Sequence, residues 1–258
     1  MRTSPRGWKG RILAVDLGTR RAELIELAET TYRTWVGGRG LALHFLSSAG
    51  ALPYDDPRTP LVFMTGPLTG TAAPTSGRMD VTSRSPLTGT VGDASVGGMF
   101  ATQLKRAGLD GIVFTGRSDT WVGLEIDDGA VSFSDARGLI GRPIGETTKL
   151  LSAKGSVATI GIAAENGVRF SNALFDGHFT AARGGLGLSF ASKKLKYVTC
   201  RGTGEVEVAD KGELAAAREE IFRLVAASSA LSGESGLRNL GTPALYDLTL
   251  PTYVPPTL

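Results

Sequence analysis

Three glycine-rich turns, each running into an apolar stretch of helical period, hold most of the chemistry this sequence could do. They read VGGRGLALHFL at 36–46, SVGGMFATQLKRAG at 95–108 and ARGGLGLSFASKKLK at 182–196. Glycine ahead of a helix lets backbone N–H groups come close to a ligand, and a helix start favours negative charge. Arg39 and Arg183 stand inside two of these turns. A guanidinium grips phosphate through paired hydrogen bonds and also stacks on flat rings. Together the three turns suit an anionic, flat, polyfunctional ligand, although each one alone reads equally well as close helix packing.

Two other motifs sit among short apolar runs. Pro-Leu-Thr-Gly-Thr occurs twice, at 67–71 and 86–90, which predicts a recurring tight turn with glycine at its left-handed position. VDLGTRR at 15–21 resembles the first phosphate loop of actin-like ATPases and sugar kinases. No second phosphate loop or adenosine-binding glycine pair follows at suitable spacing, so a plain hairpin turn is the simpler reading.

The elements that would position these motifs are mostly short strands. RILAVDL (11–17) and AELIEL (22–27) predict a hairpin across GTRR. Further strands are expected at 61–65, 111–115, 121–126, 130–134, 156–162 and 168–174, and in KYVTC at 196–200. Helices are expected at 40–48, 98–107, 145–151, 185–192 and 211–227, the last with Asp210 as N-cap and an apolar stripe of Leu214, Ala217, Ile221, Leu224 and Val225. Strands with inserted helices predict an α+β fold rather than a regular βαβ array. After Ala230 the pattern gives way to a proline-rich end that reads as a linker, so 1–208 is expected as one domain and 209–258 as a helix and linker entering another.

Composition narrows the classes. With 258 residues, 41% hydrophobic and 21% charged, the chain can bury a real core, while its 35 glycines are about twice the usual share. A net charge of +3 spread over scattered basic residues argues against a nucleic-acid or anionic-membrane surface. The single cysteine, Cys200, excludes an internal disulfide and any all-cysteine metal or iron–sulfur site made by these residues alone. No run of eighteen apolar residues and no apolar signal region is present, and a cytoplasmic protein is expected.

The motifs YRTWVGGRGLA, GPLTGTAAPTSGRMDVTSRSPLTGTVGDASVGGMFATQLKRAGLDGIVFTGRSD, AAENGVRFSNAL and ARGGLGLSFASKKLKYVTCRGTGEVEVAD follow one another with a spacing that resembles the N-terminal domain of the aldehyde ferredoxin oxidoreductase family, from about Lys9 to about Thr252. The resemblance implies two β-sheets related by a pseudo-twofold axis, forming a saddle that carries a tungsten or molybdenum bis-pterin. It makes Arg78 a pterin contact, sets Ser95, Gly97 and Gly98 beside the cofactor, and adds Arg183, Gly184 and Gly185. It also implies a Mg²⁺ between the two pterin phosphates, held partly by the backbone carbonyls of Ser95 and Gly184. The paired Pro-Leu-Thr-Gly-Thr turns would then serve the two pterin halves, and Arg78 and Arg183 would face one shared surface.

Two departures qualify the resemblance. The family pattern GDSNxGG has asparagine where this chain has Ser95, and the family's helical domains, with four cysteines for a [4Fe–4S] cluster, are not matched here. The expected function is therefore the cofactor-binding part of a tungsten or molybdenum oxidoreductase that converts aldehydes to carboxylic acids with ferredoxin as acceptor. It would need a partner chain to supply the cluster and substrate pocket, and would not be active alone. The alternatives are a non-catalytic or cofactor-binding-only module and, more distantly, an actin-like ATPase.

Overall fold

The computed structural model describes residues 6–245, which divide into two compact units, 6–71 with 75–209 and 72–74 with 210–245. The proline-rich end at 246–258 lies outside the described residues.

In the larger unit the chain makes one arrangement twice. Strands β1 (Arg11–Asp16) and β2 (Arg21–Glu26) form a hairpin, followed by helices α1 (Glu29–Trp35) and α2 (Gly38–Ser47). A meander of β3 (Leu61–Thr65), β4 (Met79–Arg84) and β5 (Val91–Val96) comes next. Helix α3 (Phe100–Arg106) then crosses back, so that β6 (Gly111–Thr115) runs parallel to β1 and antiparallel to β3. The sheet order is β2-β1-β6-β3-β4-β5.

The second half repeats the order of strands and the crossover helix. It has a hairpin of β7 (Val122–Asp127) and β8 (Ala130–Asp135), helix α4 (Ile144–Leu151) and β9 (Ser156–Ile160), with a single-turn helix α5 (Ile162–Glu165) after it. Strands β10 (Ala173–Phe175) and β11 (Phe179–Ala181), helix α6 (Leu186–Ser192) and β12 (Leu195–Arg201) complete it. β12 lies parallel to β7, and the order β8-β7-β12-β9-β10-β11 matches the first sheet strand for strand. The expected α+β architecture of two sheets is thus present, with the two-fold repeat written into its strand order.

One core joins the halves. The inward residues Met79 and Val81 of β4, Ala94 and Val96 of β5, and Ala173, Phe175 and Ala181 of β10 and β11 share it with Phe100 and Phe190 from the two crossover helices. Phe63 lies at its centre, with ring centroids 5.3–5.9 Å from those of Phe100, Phe114, Phe175 and Phe190, distances at which aromatic pairs add to simple burial. On the far side of the first sheet, Tyr32, Leu41 and Ala42 of α1 and α2 cover Ile12, Val62, Met64 and Val113.

Within the smaller unit, α7 (Lys211–Ala227) starts where its cap predicts: the Asp210 carboxylate accepts a hydrogen bond from Glu213 N at 2.9 Å. None of the α7 side chains is buried, and Ile221, Leu224 and Val225 of its apolar stripe stand exposed. No helix among the described residues is long and apolar enough to cross a membrane.

Candidate functional site

The edge strands β5 and β11 of the two sheets run past each other. Gly97, just beyond β5, packs against the Phe179 ring, and Gly184, just beyond β11, packs against the Gly92 backbone. The contacts are images of one another, because Gly97-Gly98 leads into α3 as Gly184-Gly185 leads into α6. A two-fold repeat therefore brings the second and third of the glycine turns together from opposite ends. Gly92 and Gly97 are five residues apart on one strand, so the two loops lie about 16 Å apart along β5.

Neither loop has room for side chains. Gly98 has φ +91°, and a Cβ on it would come within 2.7 Å of the Asp176 carboxylate and 2.8 Å of the Phe179 ring. Gly184 has φ +67°, and its Cβ would meet Gly92 Cα at 2.9 Å. Such positions keep bare backbone at the surface, where N–H and C=O groups can approach an anion or a cation.

Arg78 stands exposed immediately before β4. Its Nε donates to Ser95 Oγ at 2.8 Å and its Nη2 to Ser95 O at 2.5 Å, so the guanidinium is fixed at the Gly97 end. The Ser95 carbonyl retains a second lone pair for another partner. Arg183 is exposed as well, but among the described residues its guanidinium has no hydrogen-bond or ion-pair partner. Counted back from the paired glycines, the counterpart of Ser95 in the second half is Ala182, with Gly184 two residues further on.

Behind Ser95 lies a charged patch. Asp80 faces it across the β4–β5 ladder, and is itself buried. Desolvation pushes the Asp80 carboxyl above the usual range; a hydrogen bond from the Thr82 hydroxyl opposes this and the nearby Asp93 carboxylate adds to it. Arg39, at the start of α2, pairs with Asp93 (Nη2–Oδ2 2.5 Å) and lies 4.0 Å from Asp80. The first of the three glycine turns thus delivers its arginine to the same end of the sheet as Arg78.

The second half has diverged at this place. Counted back three residues from the core partners Val81 and Ala173, Phe170 takes the position of Arg78. Phe170 is 71% exposed and lines an apolar groove of about 560 Å³ with Ile144, Ile162 and Leu174. On the arginine side, Met99 and Phe179 beside Gly98 and Leu68 in the neighbouring turn are also exposed.

The repeated Pro-Leu-Thr-Gly-Thr forms the recurring turn that its sequence predicts. Both copies lie in the first half, one joining β3 to β4 and the other β4 to β5, at opposite ends of β4. They are not related by the two-fold repeat of the sheets. Their likeness is local: Gly70 and Gly89 both take left-handed φ, +80° and +72°, and Leu68 and Leu87 are both about half exposed. The counterpart of the second copy is the Asp176-Gly177-His178 turn between β10 and β11. Sequence reasoning passed over Asp176 and Ser85, which hold the glycine loops; a lone polar residue beside a turn gives no signal of a contact some eighty to a hundred positions away. VDLGTRR is a hairpin turn, in which Asp16 Oδ1 accepts from Gly18 N (2.8 Å) and Thr19 N (3.2 Å) of its own loop.

Residues 12–202 match the profile of the aldehyde ferredoxin oxidoreductase N-terminal domain. The tungsten-containing aldehyde ferredoxin oxidoreductase of Pyrococcus abyssi is 41% identical over 253 residues, a match covering 94% of this chain and 41% of that protein. An aliphatic sulfonate oxidoreductase, WOR-like subunit, from Pyrococcus furiosus is 29% identical, covering 84% of this chain and 38% of that one. Among solved structures, the active-site complex BamBC of benzoyl coenzyme A reductase, in complex with 1,5-dienoyl-CoA, aligns with a TM-score of 0.81 at 31% identity, over 85% of this chain and 35% of its own. The chain spans about two-fifths of the length of the curated relatives it matches.

Proposed function

Because the chain belongs to the aldehyde ferredoxin oxidoreductase family, whose N-terminal domain it matches over residues 12–202, we propose that it is the cofactor-binding base of a tungsten or molybdenum pterin oxidoreductase. The observation that carries this reading is the pair of glycine loops brought together by a two-fold repeat, which suits a ligand made of two similar anionic halves. Arg78, held by Ser95, and Arg183, free to turn toward a ligand, are the phosphate-gripping groups. The backbone of Gly97, Gly98, Gly184 and Gly185 forms the bed between them. The groups that would hold a Mg²⁺ here are the backbone carbonyls of Ser95 and, in the other loop, of Gly184 or of Ala182, the structural counterpart of Ser95.

When bound, the metal–pterin group would supply the redox chemistry for a two-electron oxidation in which an aldehyde and water become a carboxylic acid and two protons, the electrons going to ferredoxin by way of a [4Fe–4S] cluster. The part assigned to these 258 residues is to orient that group; the cluster and the substrate pocket belong to further polypeptide, joined or separate. Purification from the native host followed by metal and pterin analysis tests the reading. The expected result is tungsten or molybdenum with pterin in an iron-containing assembly. Pterin-free protein from cells grown with ample tungsten and molybdenum would overturn it.

A further inference from the structure

Each glycine loop is held by a turn of the opposite half, and the two holds differ chemically. In the β10–β11 turn, Asp176 adopts φ +51°, a left-handed conformation that aspartate tolerates better than most side chains. Val157 of β9 pins it twice, since Asp176 N donates to Val157 O at 2.8 Å and Asp176 Oδ1 accepts from Val157 N at 3.0 Å. The other carboxylate oxygen crosses to the first half, where Oδ2 accepts from Met99 N at 2.7 Å and Phe100 N at 3.2 Å, directly after Gly97-Gly98. In the mirror position, Ser85 Oγ of the β4–β5 turn donates to Gly184 O at 2.8 Å. Pro86 O in that turn accepts from Arg169 Nε and Nη2 at 2.9 and 2.7 Å.

We propose that Asp176 is a positioning residue for the cofactor: its carboxylate fixes the Gly97-Gly98 loop so that Ser95 and the loop backbone present a set geometry to the ligand's anionic end, while Ser85 fixes the opposing loop. The span between the two loops is then set by crossed holds and not by either sheet alone. An ionised acceptor makes the stronger kind of hydrogen bond, so the Asp176 side carries more of this duty. The proposal rests on the cofactor-base reading above.

The test compares wild type with Asp176→Ala, Asp176→Asn and Ser85→Ala in the assembly that carries the pterin. It follows hydrogen–deuterium exchange across 97–106 and the rate of pterin and tungsten loss. Asp176→Ala should speed exchange at Met99 and Phe100, and cofactor loss, each by about tenfold or more, the effect expected for a lost charge-assisted hydrogen bond. Exchange in β1 and β6 should stay at the wild-type rate. Asp176→Asn, which keeps one carbonyl acceptor, should fall between, and Ser85→Ala should speed cofactor loss without touching 97–106. Unchanged exchange at 97–106 in both Asp176 variants would overturn the hold, and unchanged cofactor loss in a loosened loop would overturn its role. Wild-type protein without pterin would sink the cofactor reading instead, and the exchange data would separate that outcome from failure of the hold alone.

Discussion

Arg78 and Arg183 are both exposed and both adjoin a glycine loop, but only Arg78 is tied to the protein, through Ser95. That difference separates two effects of removing them. Arg183→Ala should leave unfolding unchanged within about 0.5 kcal/mol, as for an unpaired surface residue, while lowering pterin affinity by about ten- to a hundredfold. Arg78→Ala should lower affinity similarly and also cost measurable stability, because Ser95 loses two hydrogen bonds. Lysine should rescue either site only in part, lacking the planar two-bond grip. Full pterin retention in both alanine variants would show that these arginines are ordinary surface charges. Asp80 makes a second residue-scale prediction. Its carboxyl is pushed up by burial, so the folded state disfavours the ionised form, and stability is lost as pH rises from the unfolded carboxylate's value through the folded one. Asp80→Asn should therefore raise the unfolding midpoint at pH 7 and give little or no gain near pH 3. A loss at pH 7 would mean that Arg39 depends on the Asp80 charge.

At the scale of elements, the loops constrain the strands that carry them. Gly185 has φ +71°, and a Cβ there would sit 1.9 Å from Arg169 O. Gly185→Ala should cost at least ~2 kcal/mol, since left-handed strain and a backbone clash add; unfolding by denaturant measures it, and a cost under half of that would show a loop that can shift. The strands and helices were unevenly legible in the sequence. The β1–β2 hairpin, the strands β3, β6, β7 and β8 and the 211–227 helix follow from apolar patterning and a cap, and the structure has them within a residue or two. Strands β4 and β5 are absent from the sequence expectation, because MDVTSR and VGDASV carry polar and glycine residues that strands usually avoid. Their inward faces are apolar, but their outward faces hold Asp80, Asp93 and Ser95, so the chemistry of the site is what hid them. The strand expected at 156–162 is β9, which ends at Ile160; the opposite error falls at 168–174, where an apolar run that reads as a strand overlaps the three-residue β10 (Ala173–Phe175) only at its last two positions. The glycines and arginines of the proposed site carry a signal in the sequence; the residues that hold the loops do not, because their partners are set by the approach of two sheet edges.

The whole larger unit depends on the joint between its halves. Phe63 of the first sheet meets Phe175 of the second and both crossover helices, so Phe63→Ala should cost about 3–5 kcal/mol and should loosen both glycine loops together, read as faster amide exchange at 97–100 and 184–187. Loosening of one loop only would mean that each half is held independently. The last prediction concerns what these 258 residues can do by themselves. A [4Fe–4S] cluster takes four thiolates, and Cys200 is the only cysteine in the sequence. It lies fully buried on β12, and desolvation, with Asp128 and Asp127 adding to it, pushes the thiol well above its ordinary range, so even this one sulfur is held protonated and out of reach. Expressed alone, the 258 residues should therefore contain no iron–sulfur cluster and should reduce no ferredoxin with any aldehyde. If the base reading is right, they should still take up pterin, with retention that falls in the Arg78 and Arg183 variants. Iron analysis, the visible spectrum and pterin fluorescence read both halves of this expectation on one sample. A brown, ferredoxin-reducing preparation would contradict the first half, and a chain that folds with the expected amide protection yet never retains pterin would confine cofactor binding to the larger assembly.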